Sequence, residues 1–175
     1  MNIGKQGLDM IKSFEGLELT AYMPTPIDVP TIGYGHTKTA YMGMKITKRG
    51  AEELLKQDLA WVEASVNKNV KVDLTQAQYD ALCSFVYNLG STNFKRSTLL
   101  KRLNEGKYED AANELLRWNR QGPDVLRGLS RRREAERALF MSNPSATMPK
   151  APTEAVGGLL VALMAAMATL FKRGS

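Results

Sequence analysis

The strongest constraint on this chain is a helical stripe too apolar to face water. Leu74, Gln78, Leu82, Phe85, Val86 and Leu89 recur at three- and four-residue steps, the spacing that puts side chains on one face of an α-helix. Thr75 offers a start and Gly90 a stop. Other elements must cover such a segment, so it is predicted to be the core of a larger lobe. With 175 residues, 43% of them apolar and 24% charged, the chain is long enough to bury that core in one soluble domain.

The elements that could cover it can be read on both sides. Ile3, Gly7, Met10, Ile11 and Phe14 predict a short amphipathic helix stopping near Gly16, with Glu15 at its end. From Leu17 to Thr37 the text alternates and is β-branched, broken by Pro24, Pro26 and Pro30 and by Gly33 and Gly35, which predicts a small irregular β-hairpin. Thr47 caps a second helix from Lys48 to about Val66, striped by Ala51, Leu55, Asp58, Leu59, Val62 and Val66 and long enough to join two lobes. After the apolar helix come two shorter helices before Gly106. Another is marked by Tyr108, Ala111, Ala112, Leu115 and Trp118, then a turn at Gly122, Pro123 and Gly128, and a last helix from Arg131 to Met141. The expected fold class is therefore α+β: a small β-hairpin lobe and a larger helical lobe joined by a long helix, with a C-terminal apolar helix beyond.

The chain divides into a body over 1–141, a linker over 142–153 and a tail over 154–175. The linker, SNPSATMPKAPT, is rich in Pro, Ser, Thr and Ala and has no periodicity. Ala155 to Phe171 is an uncharged run, followed by Lys172 and Arg173, and it meets only the lower limit for spanning a bilayer. A marginal membrane anchor, an interfacial helix and a helix packed back on the body compete for it. The independent linker and the terminal Lys-Arg pair favour association with an anionic membrane.

Charge and sulfur narrow the function classes. A net charge of +6 attracts polyanions, whether nucleic acid, anionic lipid or a bacterial envelope. Cys83 is the single cysteine, inside an apolar stripe, and is expected to be a buried thiol. Met1 to Lys12 carry no apolar signal core, so synthesis in the cytoplasm without export by the usual signal is expected. His36 is the sole histidine and has no cysteine or histidine partner that would suggest a metal site. No metal or organic cofactor is implied.

Glu15 is the first candidate for chemistry. It lies four residues after Ile11 and next to Phe14, so its side chain starts from the apolar side of its helix. Burial disfavours the charged form of a carboxyl, and a protonated carboxyl is what a general acid requires. An ordinary helix-end glutamate bonded to backbone or to an arginine explains the same spacing. Thr31 to Thr37, TIGYGHT, adds a hydroxyl and two glycines in the neighbouring hairpin, where a polymer can approach the backbone; a plain β-turn explains it equally well.

Taken together, FEGLELTAY (14–22), PTIGYGHT (30–37) and QAQYDALCSFVYNLG (76–90) resemble the phage-type lysozymes, glycoside hydrolase family 24. The likeness continues through STLLKRLNEGKYEDAANELLRWNR and GLSRRREAERALF and covers roughly residues 5–141. It implies a lysozyme-like fold whose interlobe cleft binds peptidoglycan and cuts the bond between N-acetylmuramic acid and N-acetylglucosamine. It implies Glu15 as proton donor, Thr31 as the residue that positions water or the sugar, and a structural pairing of His36 with Asp58. The family's aspartate, two residues after the Ala-Tyr pair, falls on Pro24. Asp28, in the same loop, is the candidate replacement, its alternative being a turn residue that caps its own backbone.

That departure keeps two other functions open. A single acid/base can drive an intramolecular attack, giving the anhydro-sugar product of a lytic transglycosylase. A chain that lost activity with its aspartate would be a wall-binding or virion structural protein. Arg127, Arg131, Arg132, Arg133 and Arg137 read as a solvated helix face, or as attraction to an anionic wall with some side chains lining the cleft. No aromatic platform interleaves with them, so nucleic acid is not an expected partner. Tyr87 and Trp118 lie in helical stripes, where core packing is the default. The chain is expected to be monomeric, held in the host cytoplasm until its release to the periplasm or wall.

Overall fold

The computed structural model describes residues 1–25 and 28–142. The chain runs α1 (Lys5–Glu15), β1 (Glu18–Tyr22), β2 (Thr31–Gly33), α2 (Lys48–Asn69), α3 (Gln76–Arg96), α4 (Thr98–Asn104), α5 (Tyr108–Leu115), β3 (Arg120–Gln121), β4 (Asp124–Val125) and α6 (Arg127–Phe140). The expected α+β class holds: a hairpin lobe, a long connecting helix and a helical body. The expected C-terminal apolar helix lies outside the described residues, as does the linker from residue 143 onward.

The apolar stripe becomes the centre of α3, with Ala81, Leu82, Cys83, Phe85 and Val86 fully buried. A complete capping box starts the helix: the Thr75 hydroxyl accepts from the Gln78 amide, and the Gln78 side chain accepts from Thr75 N. Gly90 does break the helix, at φ +83, but the chain re-enters a helical turn and continues to Arg96. That turn and α4 are the two short helices expected before Gly106. Around α3 pack α1, α2 and α6.

Within this apolar helix runs a polar stripe at four-residue steps: Asp80, Ser84 and Asn88, all buried. Each holds a different part of the molecule. Asp80 receives the Gly4 and Gly7 amides at 2.7 and 3.0 Å, capping α1 from a neighbouring helix where α1 has no side-chain cap of its own. The close approach requires glycine at position 7, since a Cβ there would lie 2.7 Å from Ile3 Cγ1 and 2.9 Å from Asp80 Cβ. Ser84 and Asn88 bind α6 and belong to the site described below.

In the hairpin lobe, β1 and β2 pair antiparallel with Glu18 opposite Gly33 and Tyr22 opposite Thr31, with an irregularity between. The 44–46 segment adds to the other edge of β1 through Ala21 N to Met44 O and Ile46 N to Leu19 O, both 2.9 Å. Three boundaries differ from the sequence expectation. α2 runs on to Asn69. α5 ends at Leu115, which leaves Trp118 outside the helix yet edge-on to Phe85 at 5.7 Å. α6 starts at Arg127, because the β3–β4 hairpin turns the chain back early around Gly122, at φ +57. Gly128 therefore lies in the first turn of α6, not in the preceding turn. Among the described residues, no helix is long and apolar enough to cross a membrane.

Candidate active site

Glu15 is the last residue of α1, and Gly16 at φ +74 turns the chain into the hairpin. Its side chain is buried, 7% exposed. Desolvation alone would favour the neutral carboxyl, but a second effect opposes it. Arg132 Nη1 donates to Glu15 Oε1 at 2.6 Å, and Arg132 is fully buried. A guanidinium this close stabilises the carboxylate. The arginine-bonded glutamate, the bland alternative in the sequence, is thus part of the site itself.

Arg132 is held on all sides. Its Nε donates to Glu136 Oε1 at 3.1 Å, its Nη2 reaches Ser84 O at 3.2 Å, and its guanidinium lies 5.5 Å from the Phe14 ring centre. Ser84 Oγ donates to Glu136 Oε1 at 2.7 Å. Arg133, also fully buried, donates from Nη2 to Asn88 Oδ1 at 2.8 Å and to Glu136 Oε1 at 3.1 Å. Burial lowers the Arg132 guanidinium's proton affinity, but Glu15 and Glu136 together outweigh it and leave its pKa raised. For Arg133 burial wins over Glu136, with Arg132 adding repulsion, and its pKa falls to about 10.

This corrects the reading of the five arginines. Arg132 and Arg133 are neither a solvated face nor a lure for the wall; with Glu15 and Glu136 they form a buried quartet of two cations and two anions. Arg127 is exposed, and Arg137 donates to Asn113 Oδ1 at 2.9 Å. A signal was available: Leu129, Arg132, Arg133, Glu136 and Phe140 follow the inward phase of α6.

Opposite Glu15 sits the hairpin turn. Ile32 and His36 exchange both backbone hydrogen bonds, at 3.0 and 2.9 Å, closing a tight loop over Gly33, Tyr34 and Gly35. Gly35 takes φ +87, and a Cβ there would lie 3.3 Å from Glu15 Oε2. Glycine is needed at this position for both reasons. The consequence is an asymmetry between the two carboxyl oxygens: Oε1 is engaged by Arg132, while Oε2 faces the glycine turn. Tyr87 Oη fixes that turn by donating to Tyr34 O at 2.7 Å, and its ring stacks near Trp61 at 6.5 Å.

Thr31 is fully buried at the start of β2, and its hydroxyl donates to Val29 O at 3.1 Å. Asp28 N donates to Thr25 O at 3.1 Å, and the Thr25 hydroxyl donates to Asp28 Oδ2 at 2.7 Å, so Asp28 does close a turn. It also shares a neighbour with Glu15. Burial, then the carboxylates of Glu18, Glu15 and Asp28, push the Tyr22 phenol up to about 12, and Tyr22 stands opposite Thr31 in the hairpin.

His36 is no part of this acid–base set. It is buried, its Nδ1 is 2.7 Å from Asp58 Oδ2, and Thr39 N donates to its Nε2 at 3.1 Å. An amide N–H can only donate, so Nε2 accepts and Nδ1 carries the proton toward Asp58. The pair ties the hairpin to α2. Cys83 is buried as expected, and burial pushes its thiol well up. No cluster of metal-binding side chains occurs among the described residues.

Comparison with known proteins agrees with this geometry. A family model described as phage lysozyme matches residues 12–136. The chain is 47% identical over 147 residues to an endolysin of Bacillus phage B103, covering 83% of this chain and 56% of that protein. It is 45% identical over 149 residues to the endolysin of Salmonella phage P22, covering 81% of this chain and 99% of that one. It thus spans about half of the first relative and nearly all of the second. Among solved structures, the muramidase domain of SpmX from Asticaccaulis excentricus superposes with a TM-score of 0.77 at 40% identity, over 81% of this chain and 99% of that domain.

Proposed function

This chain belongs to the phage lysozyme family, and from that premise we propose that it works as an endolysin, hydrolysing the β-1,4 bond between N-acetylmuramic acid and N-acetylglucosamine in peptidoglycan. Glu15 is the proton donor. The observation that carries this is the unequal environment of its two oxygens: Arg132 on Oε1, the open glycine turn on Oε2. A proton on Oε2 can pass to a glycosidic oxygen lying over Gly35. As it leaves, Glu15 becomes a carboxylate, and the buried Arg132 stabilises the charge that appears. That interaction strengthens during the reaction, which is the condition for lowering its barrier.

Thr31 positions the water or the sugar at the hairpin edge. Asp28 supports the positive charge developing on the sugar, in the place where Pro24 leaves no carboxylate; its shared influence on Tyr22 with Glu15 supports that role. The decisive variants are Glu15→Gln and Asp28→Asn, tested for clearing of purified peptidoglycan suspensions. Glu15→Gln removes the transferable proton and is expected to lower the rate roughly a hundredfold to ten-thousandfold. Asp28→Asn is expected to lower it at least about tenfold, the scale of one lost charge–charge contact; an unchanged rate would remove Asp28 from the mechanism.

Peptidoglycan is the partner of the body. The protein acts as a monomer without nucleic acid, and it stays in the host cytoplasm until released to the wall. Residues 155–171, outside the described residues, associate with anionic bacterial membrane on the strength of their uncharged run and the Lys172-Arg173 pair. A chain truncated before residue 154 that still partitions equally into anionic vesicles would defeat that assignment.

A further inference from the structure

Away from Glu15, at the junction of α3 and α4, lies a cavity of about 390 Å³ lined by Lys95, Arg96, Ser97, Thr98, Leu100, Lys101 and Asn104. Three cations and no carboxylate line it. Elsewhere on the surface cations are paired with acids: Lys5 with Asp9, Lys12 with Glu52, Arg49 with Glu53, and Arg102 and Lys107 with Glu105. Among the described residues, none of Lys95, Arg96 and Lys101 has such a partner. The α3 carbonyl end accounts for cations in its last turn, but not for Lys101 or for the hollow between them. Like charges gathered around a concavity repel one another, and a bound anion relieves that repulsion.

The lining selects among anions. Ser97 Oγ is committed to Phe94 O and the Leu100 amide, and Asn104 to the Lys71 amide and Asn69 O. What remains for a ligand is three cationic heads and the Thr98 hydroxyl. That donor set suits the three acceptor oxygens and nearly double charge of a phosphate monoester better than a singly charged carboxylate. The cavity falls in the size range of small-molecule sites and exceeds what a bare anion fills. No aromatic side chain lines it for base stacking, and Leu100, nearly buried, is its only apolar wall, which offers no seat for a lipid chain. We infer that the α3–α4 cavity binds the phosphate ester of a sugar, the anion seated among Lys95, Arg96 and Lys101 and the sugar in the remaining space. Such groups are an envelope ligand, engaged separately from the glycan strand that is cut.

The test is amide-resolved NMR titration of the full chain with N-acetylglucosamine 1-phosphate, inorganic phosphate and N-acetylglucosamine. Saturable shifts are expected at residues 95–104 with the phosphosugar, at least roughly threefold tighter than with inorganic phosphate because the sugar adds contacts, and none there with the neutral sugar. Lys95→Gln, Arg96→Gln and Lys101→Gln combined should abolish them, while Lys5→Gln, elsewhere on the surface, should not. All three cations are exposed, and Thr98→Val is a second, milder variant expected to weaken binding. The inference is overturned by absent or unsaturable shifts, by equal binding of phosphate and phosphosugar, by equal response to the neutral sugar, or by shifts that survive the triple substitution. Because the titration reads no bond cleavage, its failure leaves the assignment of Glu15 intact, and inactivity of the enzyme would leave this site intact.

Discussion

At the scale of single residues, Glu15 and Arg132 are one unit. Arg132 is fully buried and holds Glu15, Glu136 and Ser84 together. Arg132→Met would leave two buried carboxylates facing the Arg133 charge alone, so we expect a loss of about 3–5 kcal/mol in unfolding free energy. Urea unfolding measures it, and a loss below about 1 kcal/mol, the worth of an exposed pair, would mean the network is not the buried unit described. Gly35→Ala separates activity from stability. The substitution meets Glu15 Oε2 at 3.3 Å and must hold φ +87, so the clearing rate should drop well beyond what the backbone strain, about 1–2 kcal/mol, does to folding. Equal, small effects on both would show that Oε2 does not face the reacting bond.

At the scale of elements, legibility followed the period of the apolar residues. α1, α2 and α3 were readable because their stripes are long and their starts are marked by Thr47 and Thr75. Glu15 was visible as a carboxyl at the end of such a stripe, but its partner was not, since Arg132 is 117 positions away and sits among other arginines that suggest a solvated face. The same blindness hid Asp80, Ser84 and Asn88, polar residues at four-residue steps inside the most apolar helix. Their meaning lies in what they meet: the start of α1, and the charges of α6. The start of α6 was missed because a two-residue hairpin, β3–β4, carries almost no periodicity. The α1 cap makes a prediction of its own. Asp80→Ala should strand the Gly4 and Gly7 amides and cost about 1–3 kcal/mol, with hydrogen exchange quickening first in α1; uniform quickening over the whole chain would contradict a local capping role.

At the scale of the whole molecule, the buried proton donors set the alkaline limit. Burial first, then nearby carboxylates, raise the phenols of Tyr22, to about 12, and Tyr87. Burial is also the leading cause for the raised Tyr79 phenol and Cys83 thiol. Each keeps a proton in the fold that the unfolded chain releases, phenols from about 10 and the thiol from about 9. Their stabilisation is therefore complete below those values and drains as pH climbs through the raised folded values. Arg133 acts with opposite sign, since its lowered value of about 10 lets the folded form lose a proton that the unfolded chain keeps up to about 12.5. Four groups oppose one, so the urea midpoint should fall between about pH 8 and pH 11. A midpoint that holds or rises would mean that Arg133 outweighs the others.

The central claim is that a glutamate with one oxygen on a buried arginine and the other on an open glycine turn drives hydrolysis, even where Pro24 stands in the place of an aspartate. Mass analysis of the soluble fragments from purified peptidoglycan tests it most directly. The account predicts muramic acid ends that have gained one water with the native chain, and no fragments above background with Glu15→Gln. Anhydro ends, or fragments that persist with Glu15→Gln, would contradict it.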